Sequence, residues 1–248
     1  AFNGCTGLKL EDAVKILNSG ASMGSHLFSG CTGLEGELTI SCPVSNDMFS
    51  ACTGLTGVTI SEGVSSIGEY AFQYCRYMES VEIADSVTSI GKWAFWHCET
   101  LKTVTIPAGV SSIGGRVFAL CRSLESITVD PANGAYVSCD GVLFNRSMTT
   151  LMAYPAGSAA DSYVIPSTVT KVNGYAFSGC SSLLSVTIPE SITSIGSHAF
   201  YGFFSLVSVE IPDSVTTIGD SAFYYSKFTS VTLSDHLTND LCHKHDFG

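Results

Sequence analysis

A phrase of 23 residues recurs along this chain and constrains its fold more than any other feature. Each phrase follows the pattern L-x-x-V-x-I-P-x-x-V-x-x-I-G-x-x-A-F-x-x-C. Apart from one interruption, its first position returns at a constant interval, at Leu55, Met78, Leu101, Leu124, Leu183 and Leu206. Repetition at this period is the signature of a solenoid, because a single unit buries its apolar face only against its neighbours.

Each fixed offset of the phrase has a mechanical reason. The V-x-I segment alternates apolar and polar residues, which predicts a short, half-buried strand. Stacked units pair such strands in parallel at about 4.8 Å, and the proline ends the ladder because it lacks an N–H donor. The pattern therefore predicts an α/β repeat solenoid, a right-handed horseshoe or arc. We count ten strand positions, the first at Val14 and Ile16 and the last ending at Leu233.

The repeated Ala-Phe and Cys positions resemble the BspA-like leucine-rich repeats of the treponemal type. The resemblance covers roughly residues 1–233, although the chain has proline where the commonest leucine-rich pattern has asparagine. It implies a surface or secreted protein of a bacterium or protist that adheres to host or microbial partners. The expected location is therefore extracellular or at the cell surface.

One insertion interrupts the array, because 36 residues rather than 23 separate Val129 from Ile165. Within it, Asp140-Gly141 is a turn signal, and the segments VLF and LMAY flank a polar loop. These features predict a β-hairpin insert over residues 130–159. A bracing or capping hairpin is the favoured interpretation, and a binding prong is the alternative. The loop also carries a glycosylation sequon at Asn145.

The predicted domain organisation is one repeat domain over residues 1–233, followed by a tail over residues 234–248. The first residues, Ala1, Phe2 and Cys5, match the end of a repeat unit. This match suggests that the chain begins within a longer array.

Charge restricts the classes of partner. The net charge is −11, with only 11 lysines and arginines, so the chain lacks the basic clusters that bind nucleic acid or anionic membranes. No apolar run is long enough to span a bilayer, so direct membrane insertion is not expected. The acidic balance favours a basic or neutral partner.

Of the ten cysteines, seven share one repeat offset: Cys5, Cys31, Cys52, Cys75, Cys98, Cys121 and Cys180. Free cysteine is a good small core residue, so these predict a buried stack of unbridged thiols. The tail gathers the metal-ligand types Cys242, His243, His245 and Asp246, but a mobile tail is the favoured interpretation. No cofactor or metal is predicted, and no nucleophile motif suggests catalysis.

Two surfaces are candidate binding sites. Outward strand positions form a hydroxyl-rich strip with occasional carboxylates: Thr59, Glu82, Thr103, Thr105, Thr128, Thr187, Glu210 and Thr232. Such a strip suits either a ligand face or a plain solvated face. Aromatic residues beside the Ala-Phe pair form a second patch, Tyr70, Tyr74, Trp93 and Trp96, in which Tyr70 and Trp93 should stack side by side. The alternative is that these rings pack across coil edges.

The sequence therefore predicts a non-catalytic adhesion protein that engages a host or microbial protein or glycan through its repeat surface. The alternative is a structural stalk or spacer that presents another domain. Self-association through the ends of the array is left open.

Overall fold

The computed structural model describes residues 2–206, 208–227 and 230–232, and these form a solenoid of about eight turns. In chain order the elements are α1 (Leu10–Leu17), β1 (Gly36–Ile40), β2 (Leu55–Ile60), β3 (Ser66–Ile67), β4 (Ser80–Ile83), β5 (Ser89–Ile90), β6 (Thr103–Ile106), β7 (Ser112–Ile113), β8 (Ser126–Val129), β9 (Tyr136–Cys139), β10 (Val142–Asn145), β11 (Thr150–Ala153), β12 (Ser162–Val164), β13 (Lys171–Val172), β14 (Ser185–Thr187), β15 (Ser194–Ile195), β16 (Ser208–Glu210), β17 (Thr217–Ile218) and β18 (Ser230–Thr232). The predicted repeat fold is confirmed.

The V-x-I segments form the first sheet, with parallel strand order β1-β2-β4-β6-β8. Neighbouring strands pair in the register of the repeat, as in Val104 with Ile127 and Thr105 with Thr128. Within β6, Val104 is buried while Thr103 and Thr105 are exposed. The outer surface of these strands is called the strand face below.

The V-x-x-I-G segments form a second, narrower ladder of two-residue strands, β3-β5-β7. The glycine that follows each strand lies against the preceding coil. A Cβ atom on Gly91 would stand 2.5 Å from the backbone nitrogen of Glu69. Only glycine fits this close approach, which explains its fixed offset.

The phenylalanines of the Ala-Phe pairs form a ladder through the core. Their ring centroids are 5.4 to 5.8 Å apart along the first run, Phe28, Phe49, Phe72, Phe95 and Phe118. A second run of Phe177, Phe200 and Phe223 keeps 5.1 Å between rings. Offset stacks of this kind add stability beyond the burial of apolar area.

The side chain at the cysteine offset of the repeat donates a hydrogen bond and also fills space in the apolar core. The thiol of Cys75 donates to the carbonyl oxygen of Phe49 over 3.1 Å. Ser226, at the same offset, donates its hydroxyl to the carbonyl of Phe200 over 2.7 Å. Burial raises the pKa of Cys75 and of Cys121 to about 12, so both thiols stay protonated and able to donate.

The predicted stack of buried, unbridged thiols is confirmed for six cysteines, Cys31, Cys52, Cys75, Cys98, Cys121 and Cys180. The prediction is wrong for Cys5, which is exposed. Cys5 lies in the first described turn, where its side chain is exposed.

The insert is a three-stranded antiparallel meander, β9-β10-β11, rather than a single hairpin. Its last strand pairs in parallel with β13, so the meander joins the second ladder of the solenoid. On its other side, the hydroxyl of Tyr136 accepts a hydrogen bond from the backbone N–H of Ile113 over 2.8 Å. The insert therefore takes the place of one coil, in agreement with a bracing role.

Strand β10 separates two apolar cores, because it is buried on both faces. Leu143 packs in the N-terminal core, whose buried residues run from Ala13 to Leu143. Val142 and Phe144 pack in the C-terminal core, whose buried residues run from Val142 to Phe223. All three side chains are at most 1% exposed.

The coil-to-coil hydrogen bonds are interrupted at the same place. In a regular coil, the N–H groups of Tyr70, Phe72 and Tyr74 donate to carbonyls of the next coil over 2.8 to 2.9 Å. The equivalent N–H groups of Arg116, Phe118 and Leu120 make no such bond within the described part of the chain. Tyr154 of the insert instead donates to Ala176 over 2.7 Å.

The prediction of a first strand at Val14 and Ile16 is wrong, because these residues lie in α1. Their apolar neighbours recur at a spacing of three and four residues, which fits a helix better than a strand. The helix also has acidic residues in its first turn and Lys15 in its last, as the helix dipole favours. Nine of the ten predicted strand positions remain, beginning with β1.

Candidate binding surfaces

In the N-terminal half, the predicted strip forms one continuous row across the strand face. The β2–β4 and β6–β8 pairings place Thr59 beside Glu82 and Thr105 beside Thr128. Thr59 donates its hydroxyl to the Glu82 carboxylate over 3.4 Å, and the two hydroxyls of Thr105 and Thr128 are 2.9 Å apart. Thr39 extends this row on β1, a member that the sequence analysis missed.

The insert breaks the strip after β8. The N–H of Ile127 donates to the carbonyl of Gly141 over 2.9 Å, and that of Val129 donates to the hydroxyl of Ser138 over 3.0 Å. The turn of the meander therefore occupies the edge of β8 that a regular coil would use. The strip predicted from the sequence as a single surface is consequently two surfaces.

In the C-terminal half, the strip continues on β12, β14, β16 and β18. Thr187 and Glu210 are exposed and line one shallow groove together with Ser185 and Ser208. Val164 stands beside Thr187 and is 66% exposed, so this half has an apolar member. Thr232 pairs with Glu210 in β18, and its side chain lies outside the described structure.

The predicted aromatic patch is brought together as one cluster of half-buried rings. Tyr70 and Trp93 stack with 6.2 Å between centroids and 12° between planes, as expected. Trp93 meets Trp96 edge to face at 4.8 Å, and Trp96 meets Tyr74 at 4.7 Å. Each ring thus packs against a ring of its own or the neighbouring coil.

Arg116 extends this cluster into a continuous column. Its guanidinium carbon lies 4.7 Å from the ring centroid of Trp93 and 4.6 Å from that of Tyr175. His198 then stacks on Tyr175 at 4.6 Å. The column Tyr70, Trp93, Arg116, Tyr175 and His198 therefore runs past the insert. Sequence analysis did not predict the contacts of Arg116 with Trp93 and Tyr175, although all five column residues share the offset before the Ala-Phe pair.

The backbone at this offset is left-handed throughout. The five column residues have φ between 56° and 67°. Such a conformation costs roughly 1 kcal/mol in any residue other than glycine. Asp47 and Ser221 adopt the same conformation at this offset, so the coil imposes it whatever the side chain.

A small ionic cluster lies beside the column. Glu99 forms an ion pair with Arg76 over 3.6 Å and faces the ring nitrogen Nδ1 of His97 at 3.2 Å. Burial lowers the pKa of His97 more than the Glu99 carboxylate raises it. Arg122 occupies the same repeat offset as Arg76 and Glu99, one coil further on.

Within residues 2–206, 208–227 and 230–232, no group of three His, Cys, Asp or Glu side chains is placed to hold a metal ion. The same residues include no helix long and apolar enough to cross a bilayer. The predicted ligand types of the tail, Cys242, His243, His245 and Asp246, lie outside the described residues.

The stacked coils define a leucine-rich-repeat solenoid, and family comparison makes this assignment more specific. The family model described as the BspA type leucine rich repeat region matches in six copies, over residues 42–138 and 155–240. The chain therefore belongs to this family. A comparison with curated proteins gave no match.

Solved structures of other leucine-rich repeat proteins have a similar fold. A leucine rich cell surface protein from Faecalibacterium prausnitzii is 28% identical, with a TM-score of 0.70 over 87% of this chain and 70% of that chain. A leucine-rich repeat protein from Eubacterium ventriosum is 28% identical, with a TM-score of 0.65 over 79% of this chain and 60% of that chain. The pneumococcal vaccine antigen PcpA shares the fold at 24% identity and a TM-score of 0.64, over 77% of this chain and 51% of that chain.

Proposed function

We propose that this chain is a non-catalytic adhesion module, displayed at a cell surface or secreted, that binds a host or microbial protein or glycan. The observation that carries the proposal is the strand face, where exposed hydroxyls and carboxylates stand in register on successive coils. The faces of solenoid sheets are common binding surfaces. The similarity to a cell surface protein from Faecalibacterium prausnitzii supports the location.

A ligand on the strand face would make many modest polar contacts. Each hydrogen bond to an exposed hydroxyl or carboxylate adds about 1 kcal/mol. Three adjacent members of the strip, Glu82, Thr105 and Thr128, would together supply about 3 kcal/mol, or roughly a hundredfold in affinity. The carboxylate favours a partner with basic groups, and binding through it weakens as salt increases.

The test is surface plasmon resonance with this chain against a panel of host matrix proteins and glycans. A triple variant, Glu82→Ala with Thr105→Ala and Thr128→Ala, should lose about a hundredfold in affinity. The matched control replaces three exposed hydroxyls away from the strand face, Thr88→Ala, Thr193→Ala and Thr216→Ala. The control should bind as the original chain does.

The second candidate function is a structural spacer. One observation favours it: members of the strip already hydrogen-bond in pairs, Thr59 with Glu82 and Thr105 with Thr128. A plain solvated face also allows such pairs. A blank across the whole panel would support the spacer and reject the adhesion module.

A further inference from the structure

We propose that the edge of the solenoid around Arg116 is a binding site for an acidic glycan, a polysaccharide that carries uronic acid or sulfate groups. This arginine–aromatic edge consists of the column Tyr70, Trp93, Arg116, Tyr175 and His198 together with the neighbouring Arg76 and Arg122. The inference rests on the proposed function, because it names the ligand class and a second site for the same adhesion module.

The column presents ring edges, not ring faces. Trp93 stacks on Tyr70 and also meets Arg116 and, edge to face at 5.3 Å, Tyr175. Tyr175 in turn contacts Arg116 and stacks on His198. Stacking of a neutral sugar on a free ring face, a usual role for exposed aromatics, is therefore blocked along this column. Aromatic edges are electropositive, so the exposed side of the column favours anions.

Arg116 itself has unused donors. Its guanidinium carbon packs beside Trp93 and Tyr175, whose own ring centroids are only 5.3 Å apart. Arg116 has no ion pair or side-chain hydrogen bond within the described part of the chain. Its guanidinium fork matches a carboxylate or a sulfate, and the contacts with both rings restrict its position before binding.

The charge of the edge is opposite to that of the whole chain. Three of the four arginines lie here, although the net charge is −11. Arg76 and Arg122 occupy equivalent offsets two coils apart, which at about 4.8 Å per coil separates them by roughly 10 Å. The carboxylate recorded against them is Glu99, which Arg76 shares with His97. The edge therefore offers several cations in a row, which suits a chain of repeated anionic groups.

A glycan fits this edge better than an acidic peptide does. Recognition of an extended peptide relies on main-chain hydrogen bonds. The coils present no continuous strand edge here, since the backbone N–H groups of four of the five column residues, all except Arg116, donate along the solenoid axis to the next coil. The hydroxyls of a glycan instead satisfy donors and acceptors on the exposed side of the column, directly or through a water.

The test measures binding of the chain to three probes by isothermal titration: a heparin octasaccharide, a hyaluronan octasaccharide and a neutral dextran oligosaccharide. We expect saturable binding of one or both acidic probes and none of dextran. The triple variant Arg76→Gln, Arg116→Gln and Arg122→Gln should lower the affinity at least about a hundredfold, since it removes three charge-assisted contacts. Binding of heparin alone would assign sulfate as the recognised group, and binding of both would assign the carboxylate.

A matched control separates the site from overall charge. Lys15→Gln, Lys102→Gln and Arg146→Gln remove the same three charges from exposed positions elsewhere. An equal loss of affinity in the two triple variants would overturn the proposal, because it would mean non-specific attraction. If Arg116→Gln disrupts folding around the column, the double variant Arg76→Gln and Arg122→Gln leaves the column intact and should still weaken binding several-fold.

The two proposals fail in different ways. No binding of any acidic glycan, combined with binding of a matrix protein that the strand-face variant abolishes, overturns this site and leaves the adhesion module in place. No binding of any ligand overturns both.

Discussion

Replacing Phe144 with alanine tests whether the insert divides the solenoid into two cores. Phe144 is 0% exposed and packs in the C-terminal core, whereas the adjacent Leu143 is 1% exposed and packs in the N-terminal core. Truncating a buried phenylalanine costs about 3 to 5 kcal/mol. In a solenoid each coil interacts mainly with its neighbours, so this cost should concentrate in the coils that Phe144 touches.

Hydrogen–deuterium exchange with mass spectrometry measures the effect coil by coil. A loss of about 4 kcal/mol in the C-terminal half should accelerate exchange of peptides within residues 165–226 roughly a thousandfold. Peptides within residues 44–121 should change little. The matched variant Leu143→Ala, with an expected cost of about 2 to 5 kcal/mol, should give the reverse pattern. Equal acceleration of both halves by both variants would refute the division and indicate one cooperative unit.

Four further predictions follow from the same contacts. Native alkylation followed by mass spectrometry should modify Cys5 and Cys139, which are exposed, and spare the six buried thiols, whose pKa is raised by burial; rapid labelling of all cysteines would contradict the stack. In denaturant titrations Cys98→Ser should be more stable than Cys98→Val by about 1 kcal/mol, because serine keeps a donor for the carbonyl of Phe72; the opposite order would show that this offset needs only an apolar filler. The backbone N–H groups of Arg116, Phe118 and Leu120 have no partner in the described part of the chain, so their amide exchange should be about tenfold faster than that of the bonded equivalents Tyr70, Phe72 and Tyr74. Equal protection at the two sets would mean that the ladder of hydrogen bonds continues across the insert. Burial, and after it the charge of Arg116, lowers the pKa of His198, so the unfolded chain binds a proton at this histidine more readily than the folded chain. The stability of the fold should therefore decrease as the pH drops below about 6.5. The melting temperature of His198→Gln should decrease less over the same pH range, and an identical pH profile would exclude this histidine as a cause.

The period and the side-chain pattern were enough to predict the strand face and most of the core. Each of these depends on contacts between equivalent offsets of neighbouring units, and such contacts repeat with the sequence. The prediction failed where the repeat stops being regular. At Val14 and Ile16 the spacing allowed two interpretations, and the helical one is correct. The break of the strip after β8 depends on where the meander docks, which its own sequence does not specify.

The cation–π contacts of Arg116 with Trp93 and Tyr175 are the most informative feature of the candidate sites that sequence analysis missed. Arg116, Trp93 and Tyr175 share an offset, yet Tyr175 is 59 residues from Arg116 because of the insert. Whether the coils on either side of the insert stack directly cannot be known from the repeat alone. In the folded chain Trp93 and Tyr175 both contact Arg116, and these contacts make the edge a candidate site.

Adhesion of coated beads to cells tests the central claim most directly. Beads coated with this chain would be counted after washing on cultured host epithelial cells. Beads with the strand-face triple variant and beads with its matched control would be counted beside them. With excess soluble heparin and hyaluronan in the medium to occupy the arginine–aromatic edge, the account predicts that the original chain and the control attach equally. Under the same conditions the strand-face variant should attach at the level of uncoated beads. Equal attachment of all coated beads, or attachment of none, would contradict the claim that the strand face of this solenoid is an adhesive surface.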